Sequence, residues 1–203
     1  MKRKKLIVIG SGGTIGTEVA MYLSTRHDVV TAGRSSGNLT VDIEDAESIE
    51  NIFEEEKEVD GVVCIAGEAK WADFSELTEE DYYIGFRSKL MGQVNLTRIA
   101  SKHMNEGGSI TLTTGILAED PVVKTASAAM VNGAIHSFVK AVALELNKGM
   151  RINAVAAGLV EKSEEKYREY FPGHNPVPMK RVVKGYIRSV EGRGNGEIIR
   201  IYG

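Results

Sequence analysis

The sequence predicts an α/β fold, a three-layer, doubly wound parallel sheet of about seven strands with helices on both faces. Three observations carry this. Short continuous apolar runs rich in β-branched residues, such as Leu6-Ile7-Val8-Ile9 and Gly61-Val62-Val63-Cys64, suit strands buried on both faces. Segments with apolar residues at helical spacing separate them, so strand and helix alternate about seven times over the 203 residues. A glycine cluster, Gly10-Ser11-Gly12-Gly13-Thr14-Ile15-Gly16, falls between the first strand and the first helix.

Taken in order, Leu6–Ile9 is the first strand, and Val19, Ala20 and Leu23 mark the helix after the glycine loop. Val29-Val30-Thr31-Ala32 is a second strand ended by Gly33, and Leu39 to Ile43 a short third. Ile49, Ile52, Phe53 and Val59 mark a helix whose solvated face is Glu54-Glu55-Glu56-Lys57-Glu58. A strand then runs from Gly61 to the glycine at 67. Thr78-Glu79-Glu80-Asp81 starts a helix, with acids where the dipole favours them, expected to reach about Met104. Ser109 to Thr114 is a strand, Thr125 to Asn147 a long helix rich in Ala and Val, and Arg151 to Ala156 a strand. Glu161 to Tyr170 and Lys180 to Val190 read as helices around a turn with Pro172, Pro176 and Pro178, before a last strand over Glu197 to Tyr202. Crossovers of helix length join parallel strands right-handedly, which gives a Rossmann-type sheet. No repeat, low-complexity segment or Pro/Gly/Ser linker divides the chain, so residues 1–203 read as a single domain.

Composition narrows the function classes. With 42% hydrophobic and 26% charged residues and four prolines, the chain is neither disordered nor fibrous. A net charge of −3 offers no global field for nucleic acid. No run of 18 apolar residues suggests a membrane span. Lys2-Arg3-Lys4-Lys5 reads as a solvated leader to the first strand, because the apolar run after it is too short for a signal peptide. Cys64 is the one cysteine, which rules out an intrachain disulfide and fits a cytoplasmic location. His27, His103, His136 and His174 show no metal-ligand spacing, so no metal site is expected. Neither a Gly-x-Ser-x-Gly elbow nor a Gly-Lys-Ser/Thr ending is present, which argues against a hydrolase and an NTPase.

Sheets of this kind bind ligands beyond the carboxyl ends of their strands. The glycines at 10, 12, 13 and 16 allow a sharp turn and a close approach of a pyrophosphate to helix amides. An acid at the end of the second strand often holds the ribose hydroxyls. Here Asp28 precedes that strand, and Gly33-Arg34-Ser35-Ser36 stands at its end. A guanidinium with hydroxyls suits a ribose 2′-phosphate and points to NADP(H) in preference to NAD(H).

At this point the chain resembles the short-chain dehydrogenase/reductase family over nearly its whole length. The family's three loop glycines correspond to Gly10, Thr14 and Gly16, with Ile15 between the last two, so the middle glycine is replaced. Asp42-Ile43 resembles the acidic residue and its neighbour at the adenine edge, and Cys64-Ile65-Ala66-Gly67 keeps only the Ala-Gly of the Asn-Asn-Ala-Gly motif. Lys140 to Leu146, reading KAVALEL, is very close to the family's helix pattern. Arg151 to Gly158 resembles the end of its sixth strand with Ala157 for proline, and Gly196 to Ile201 resembles its final strand. The resemblance implies that Gly10, Ser11, Gly12, Thr14, Ile15 and Gly16 hold the pyrophosphate. It places Asp42 and Ile43 at the adenine, Ala66 and Gly67 at the ribose, and Gly158 to Val160 near the nicotinamide. To these the strand-two reading adds Arg34 and Ser35 at the 2′-phosphate.

The catalytic pattern departs from the family. Counting back from KAVALEL, the usual Tyr falls on Ala128 and the Lys on Asn132. The Ser falls on Thr114 or Gly115 and the Asn on Lys89, and no tyrosine lies between Tyr83 and Tyr167. Loss of a positioned acid costs about 10²–10⁴ in rate, but the hydride chemistry belongs to the cofactor. Lys89 is the candidate acid or electrostatic clamp, Thr114 a hydroxyl for the carbonyl oxygen, and Asn132 an amide for the ribose. The leading expectation is an NADP(H)-dependent oxidoreductase acting on a small carbonyl or alcohol. The alternatives are a non-catalytic NADP(H)-binding sensor, or isomerisation or elimination on the same fold. Trp71 with Phe74 is expected to cap a loop near the cleft. A homodimer or homotetramer is expected through the two long helices.

Overall fold

The structure, a computed structural model, describes residues 2–203. It begins with β1 (Lys5–Ile9), α1 (Thr14–Ser24), β2 (Asp28–Gly33), β3 (Leu39–Thr40), α2 (Ala46–Glu55) and β4 (Gly61–Cys64). After these come α3 (Glu79–Gly85), α4 (Gly92–His103), β5 (Ser109–Gly115), α5 (Ala126–Val142) and β6 (Arg151–Ala157). The chain closes with α6 (Glu164–Tyr167), α7 (Met179–Glu191) and β7 (Ile198–Ile201). The seven strands form one sheet in the order β3-β2-β1-β4-β5-β6-β7, and every pairing is parallel. The chain works outward from β1 to β3, then returns to the other side of β1 as β4. That reversal is the switch point, where the connections at the carboxyl ends diverge and leave a crevice.

Side chains alternate across the strands and define two apolar layers. Ile7, Ile9, Val62, Ile110, Leu112 and Ile152 face Ile49, Ile52, Phe53, Leu96, Ile99, Ile135 and Val139 from α2, α4 and α5. Leu6, Val8, Val63, Val155 and Ile199 face Val19, Leu23, Val182, Val183, Tyr186 and Val190 from α1 and α7. Burying each such side chain contributes about 1.5–3 kcal/mol. A third cluster lies above the carboxyl edge, where Ile116, Leu117, Ala128, Leu159 and Phe171 meet Trp71, Tyr167, Tyr170 and Tyr202. No helix among the described residues is long and apolar enough to cross a membrane.

Several element bounds differ from expectation. The helix expected over Thr78–Met104 is α3, a π-helical stretch at Phe86–Met91 and α4. It opens as predicted, with a reciprocal capping box between Thr78 and Asp81. α5 stops at Val142 instead of Asn147. The next turn tightens to three-residue bonds such as Leu144 N–H to Ala141, and Asn195 donates its side-chain amide to the Ala143 carbonyl. The third strand is only two residues long. The helix expected at Glu161–Tyr170 is a four-residue α turn flanked by 3₁₀ turns.

One polar side chain substitutes for a strand. β4 pairs with β5 only as far as Thr111, so the backbone of Thr113 has lost its neighbour. Gln93, fully buried, fills that place. Its Nε2 donates to the Thr113 carbonyl at 3.1 Å, and its Oε1 accepts the Thr113 N–H at 2.9 Å. Thr113 Oγ1 donates to the Cys64 carbonyl at 2.5 Å and bonds the Tyr186 hydroxyl at 2.8 Å. Gln93→Leu leaves two buried backbone groups unpaired. It is expected to lower the unfolding free energy by about 1–3 kcal/mol in urea titration, and an unchanged midpoint would refute this role.

Candidate active site

The glycine loop is shaped by contacts that no side chain would permit. Gly10 has φ +81°, and a Cβ on it would lie 2.5 Å from the Ile65 carbonyl oxygen. A Cβ on Gly16 would collide with the Gly10 carbonyl. The amino end of α1 thus tucks under the loop. Gly13 begins that helix without a side-chain cap, so its first-turn amides keep no side-chain partner. Such an end favours an anion. Ser36, rather than Ser35, rests on the loop, with its Oγ 2.6 Å from where a Gly12 Cβ would stand.

A cleft of about 300 Å³ opens over this region, lined by Ile9, Gly10, Gly33, Arg34, Val41, Ile43, Ala66, Gly67, Glu68 and Ser88. Ser35 is exposed and does not line it. Arg34 is not free. It lies 3.4 Å from Asp42 and 3.2 Å from Glu44, with its side chain 60% exposed. Asp42 also accepts the Glu44 N–H at 3.0 Å.

A second cleft of about 400 Å³ adjoins the first, with Gly67 and Glu68 lining both. The three residues singled out for chemistry, Lys89, Thr114 and Asn132, all line it. Ala128 and Gly115 line it as well. The π-helical stretch carries Lys89 to the cleft, because a π turn takes an extra residue and rotates the side chains that follow. Gly67, at φ +105°, lets that stretch approach, since a Cβ there would lie 2.7 Å from the Lys89 Cα. Desolvation holds the Lys89 ammonium below the ordinary lysine range. Asn132, on α5, is buried, and its Oδ1 has no hydrogen-bond partner.

Thr114 is buried at the end of β5, and its Oγ1 lies 2.9 Å from Nε2 of His136. Nδ1 of His136 lies 3.6 Å from Oε1 of Glu119. Arg200 grips Glu119 with Nε and Nη2 at 2.6–3.0 Å, and the Tyr202 hydroxyl donates to it at 3.2 Å. Those bonds, the Arg200 contact first, hold the Glu119 carboxyl below the usual range. Burial pushes the His136 imidazole below its ordinary value. Trp71 also lines the cleft and packs against Tyr167 and Tyr170, with ring centroids 5.2 and 5.7 Å apart.

Some expected residues fall elsewhere. Gly158 lines a separate cavity with Asp120, His174 and Tyr202. Val160 is buried and pairs with Val177 in an isolated bridge. Phe74 is 77% exposed and is not Trp71's packing partner. His136, Glu119 and Tyr167 went unassigned from the sequence. For His136 a signal existed, since it follows Asn132 by four residues and so shares its helix face. Nothing in sequence spacing links Glu119 to either.

The family model described as Enoyl-(Acyl carrier protein) reductase matches residues 16–184. The chain belongs to the short-chain dehydrogenase/reductase family, a family of oxidoreductases that bind a nicotinamide cofactor. A trihydroxynaphthalene reductase of Pestalotiopsis fici is 28% identical over 200 residues, covering 85% of this chain and 71% of the relative. The crystal structure of the protein lin1944 from Listeria innocua superposes with a TM-score of 0.96 at 42% identity, covering 98% of this chain and all of that one. A small-chain dehydrogenase in complex with NADPH superposes with a TM-score of 0.86 at 25% identity, covering 99% of this chain and 97% of that one.

The buried imidazole ties stability to pH. Because folding lowers the His136 pKa, the unfolded chain binds more protons as pH falls below about 6.5. That contribution is complete above 6.5 and is lost as pH falls through the folded value. Glu119 and Glu191, also held low, add their losses at more acid pH, below about 4.5. Melting temperatures across this range should decline in two stages, and His136→Gln should remove the first. Retention of the first stage in that variant would assign it to another group.

Proposed function

We propose that the protein is an NADPH-dependent reductase of small carbonyl compounds, reversible with the corresponding alcohols. In this reading Lys89, Thr114 and Asn132 take over the work of the family's usual Tyr and Lys. The observation that supports it is their convergence on one cleft that shares Gly67 and Glu68 with the cleft reaching Gly10 of the glycine loop. Asn132 lines that cleft and its buried Oδ1 has no partner, which fits a cofactor, because a turn of the carboxamide would offer that orphaned acceptor to a ribose hydroxyl.

When bound, the reduced nicotinamide supplies a hydride to the carbonyl carbon. Gly10, Ser11, Gly12, Thr14, Ile15 and Gly16 present backbone and the α1 terminus to the pyrophosphate. Val41, Asp42 and Ile43 flank the adenine, and Ala66 and Gly67 let the ribose come close. Arg34 and Ser36, with Ser35 beside them, receive the 2′-phosphate. Arg34 must first release Asp42 and Glu44, but exposed pairs of this kind contribute only about 0–1 kcal/mol. Lys89, desolvated in the wall of the cleft, stabilises the negative charge that grows on the substrate oxygen. Thr114 donates a hydrogen bond to the same oxygen. Trp71 and Tyr167 wall the cleft with ring surface that suits an apolar or aromatic substrate body. Exposed Tyr83, Met91 and Met130 on the segments around α3, α4 and α5 support pairing of two copies there.

Titration with NADPH and NADH, followed by quenching of Trp71, the single tryptophan, should give tight NADPH binding and weaker NADH binding. Arg34→Ala should weaken NADPH at least tenfold, the cost of about one charge-assisted contact, and leave NADH unchanged. Binding of neither would overturn the reading. Lys89→Met should lower kcat for carbonyl reduction about 10²–10³-fold with NADPH affinity retained, and an unaltered kcat would remove Lys89 from the chemistry.

A further inference from the structure

We infer that Thr114, His136 and Glu119 form a proton relay that carries the proton accompanying hydride transfer between the substrate oxygen and solvent. This rests on the reductase reading, which leaves the origin of that proton open. A threonine hydroxyl alone is too weak an acid to be spent and restored at each turnover, so it needs a titratable partner. The structure supplies one. Thr114 opens onto the cleft, His136 lies behind it at 2.9 Å, and Glu119 lies behind that at 3.6 Å from Nδ1. The order of hydroxyl, imidazole and carboxylate runs from the buried cleft to a carboxylate that is 35% exposed. Geometry of this kind lets an imidazole pass protons through a hydroxyl while a nearby carboxylate favours its protonated form.

In reduction, hydride arrival forms the new C–H bond and the carbonyl π pair moves to oxygen. That oxygen takes the Thr114 proton as Thr114 Oγ1 takes the Nε2 proton of the His136 imidazolium. The products are the alcohol, an intact threonine, a neutral imidazole protonated at Nδ1, and the oxidised cofactor; once the alcohol leaves, solvent entering the cleft returns a proton to Nε2 through the Thr114 hydroxyl. Alcohol oxidation runs the same steps backward and starts from the neutral imidazole. The groups that face His136 are Glu119 from the turn after β5, Arg200 from β7 and Lys140 on its own helix. Burial first, then Arg200 and Lys140, keep the imidazole neutral near pH 7, while Glu119 opposes them. His136 acts through Thr114 and is a positioning and relay residue, not one that touches substrate.

The test uses the full chain with NADPH and three carbonyl probes, phenanthrenequinone, diacetyl and ethyl acetoacetate, with rates read from NADPH absorbance across a pH series. The relay predicts that kcat/KM for reduction falls as pH rises through the His136 titration. His136→Gln should abolish that inflection and lower kcat about 10²-fold, with NADPH affinity unchanged by calorimetry. Thr114→Val should lose as much, Thr114→Ser should keep the inflection, and the double variant His136→Gln/Thr114→Val should be no worse than either alone. Added imidazole should partly restore His136→Ala, which a purely structural histidine would not show. If His136→Gln keeps both the rate and the inflection, the relay is wrong and the reductase reading stands. If the unaltered chain oxidises NADPH with none of the probes, the reductase reading fails and takes the relay with it.

Discussion

The site depends on one close approach, the backbone of Gly10 against the carbonyl of Ile65 at the carboxyl ends of β1 and β4. These adjacent strands lie where the strand order reverses, between β1 and β4. Any side chain at position 10 would push them apart and disturb the loop that seats α1. The same economy recurs at Gly67, which admits the π-helical turn, and at Gly16, which admits the loop. In all three places the absent side chain is what creates the crevice. Around it the two apolar layers are continuous and hold the strand ends in fixed positions.

The second constraint is polar. Beyond the last β4–β5 rung the sheet has to part to form a cleft, and parting leaves backbone groups without partners. Gln93 answers this with both ends of its amide, and Thr113 ties the parted strands through Cys64 and Tyr186. Thr114, the next residue, points to the opposite face of the sheet and reaches α5. Adjacent threonines therefore serve different ends, one holding the cleft open and the other entering it. Burial of the Tyr186 phenol pushes its pKa far up, so that it stays a neutral partner.

The fold was legible because it rests on local patterns. Buried parallel strands leave continuous apolar runs such as Leu6–Ile9, and the glycine loop falls where the first strand meets the first helix. Lys89, Thr114 and Asn132 were singled out from the family pattern, Asn132 by the spacing back from Lys140–Leu146 and Lys89 by its place before Gly92, and all three line one cleft. What the sequence concealed depends on three-dimensional neighbours. A π-helical turn at Phe86–Met91 has the same composition as an α-helix, so the long helix looked unbroken. Arg34 looked free because its partners Asp42 and Glu44 lie beyond the third strand. Glu119 meets His136 only after the chain turns through a 3₁₀ segment at Ile116–Ala118.

The most direct test of the central claim, that one continuous crevice seats the cofactor and the chemistry together, is a crystal structure of the protein with NADPH. The bound nicotinamide ribose should place a hydroxyl within hydrogen-bond distance of Asn132 Oδ1, with the ring opening onto Lys89 and Thr114. A complex in which Asn132 Oδ1 stays unpaired and the nicotinamide lies outside that cleft would contradict it.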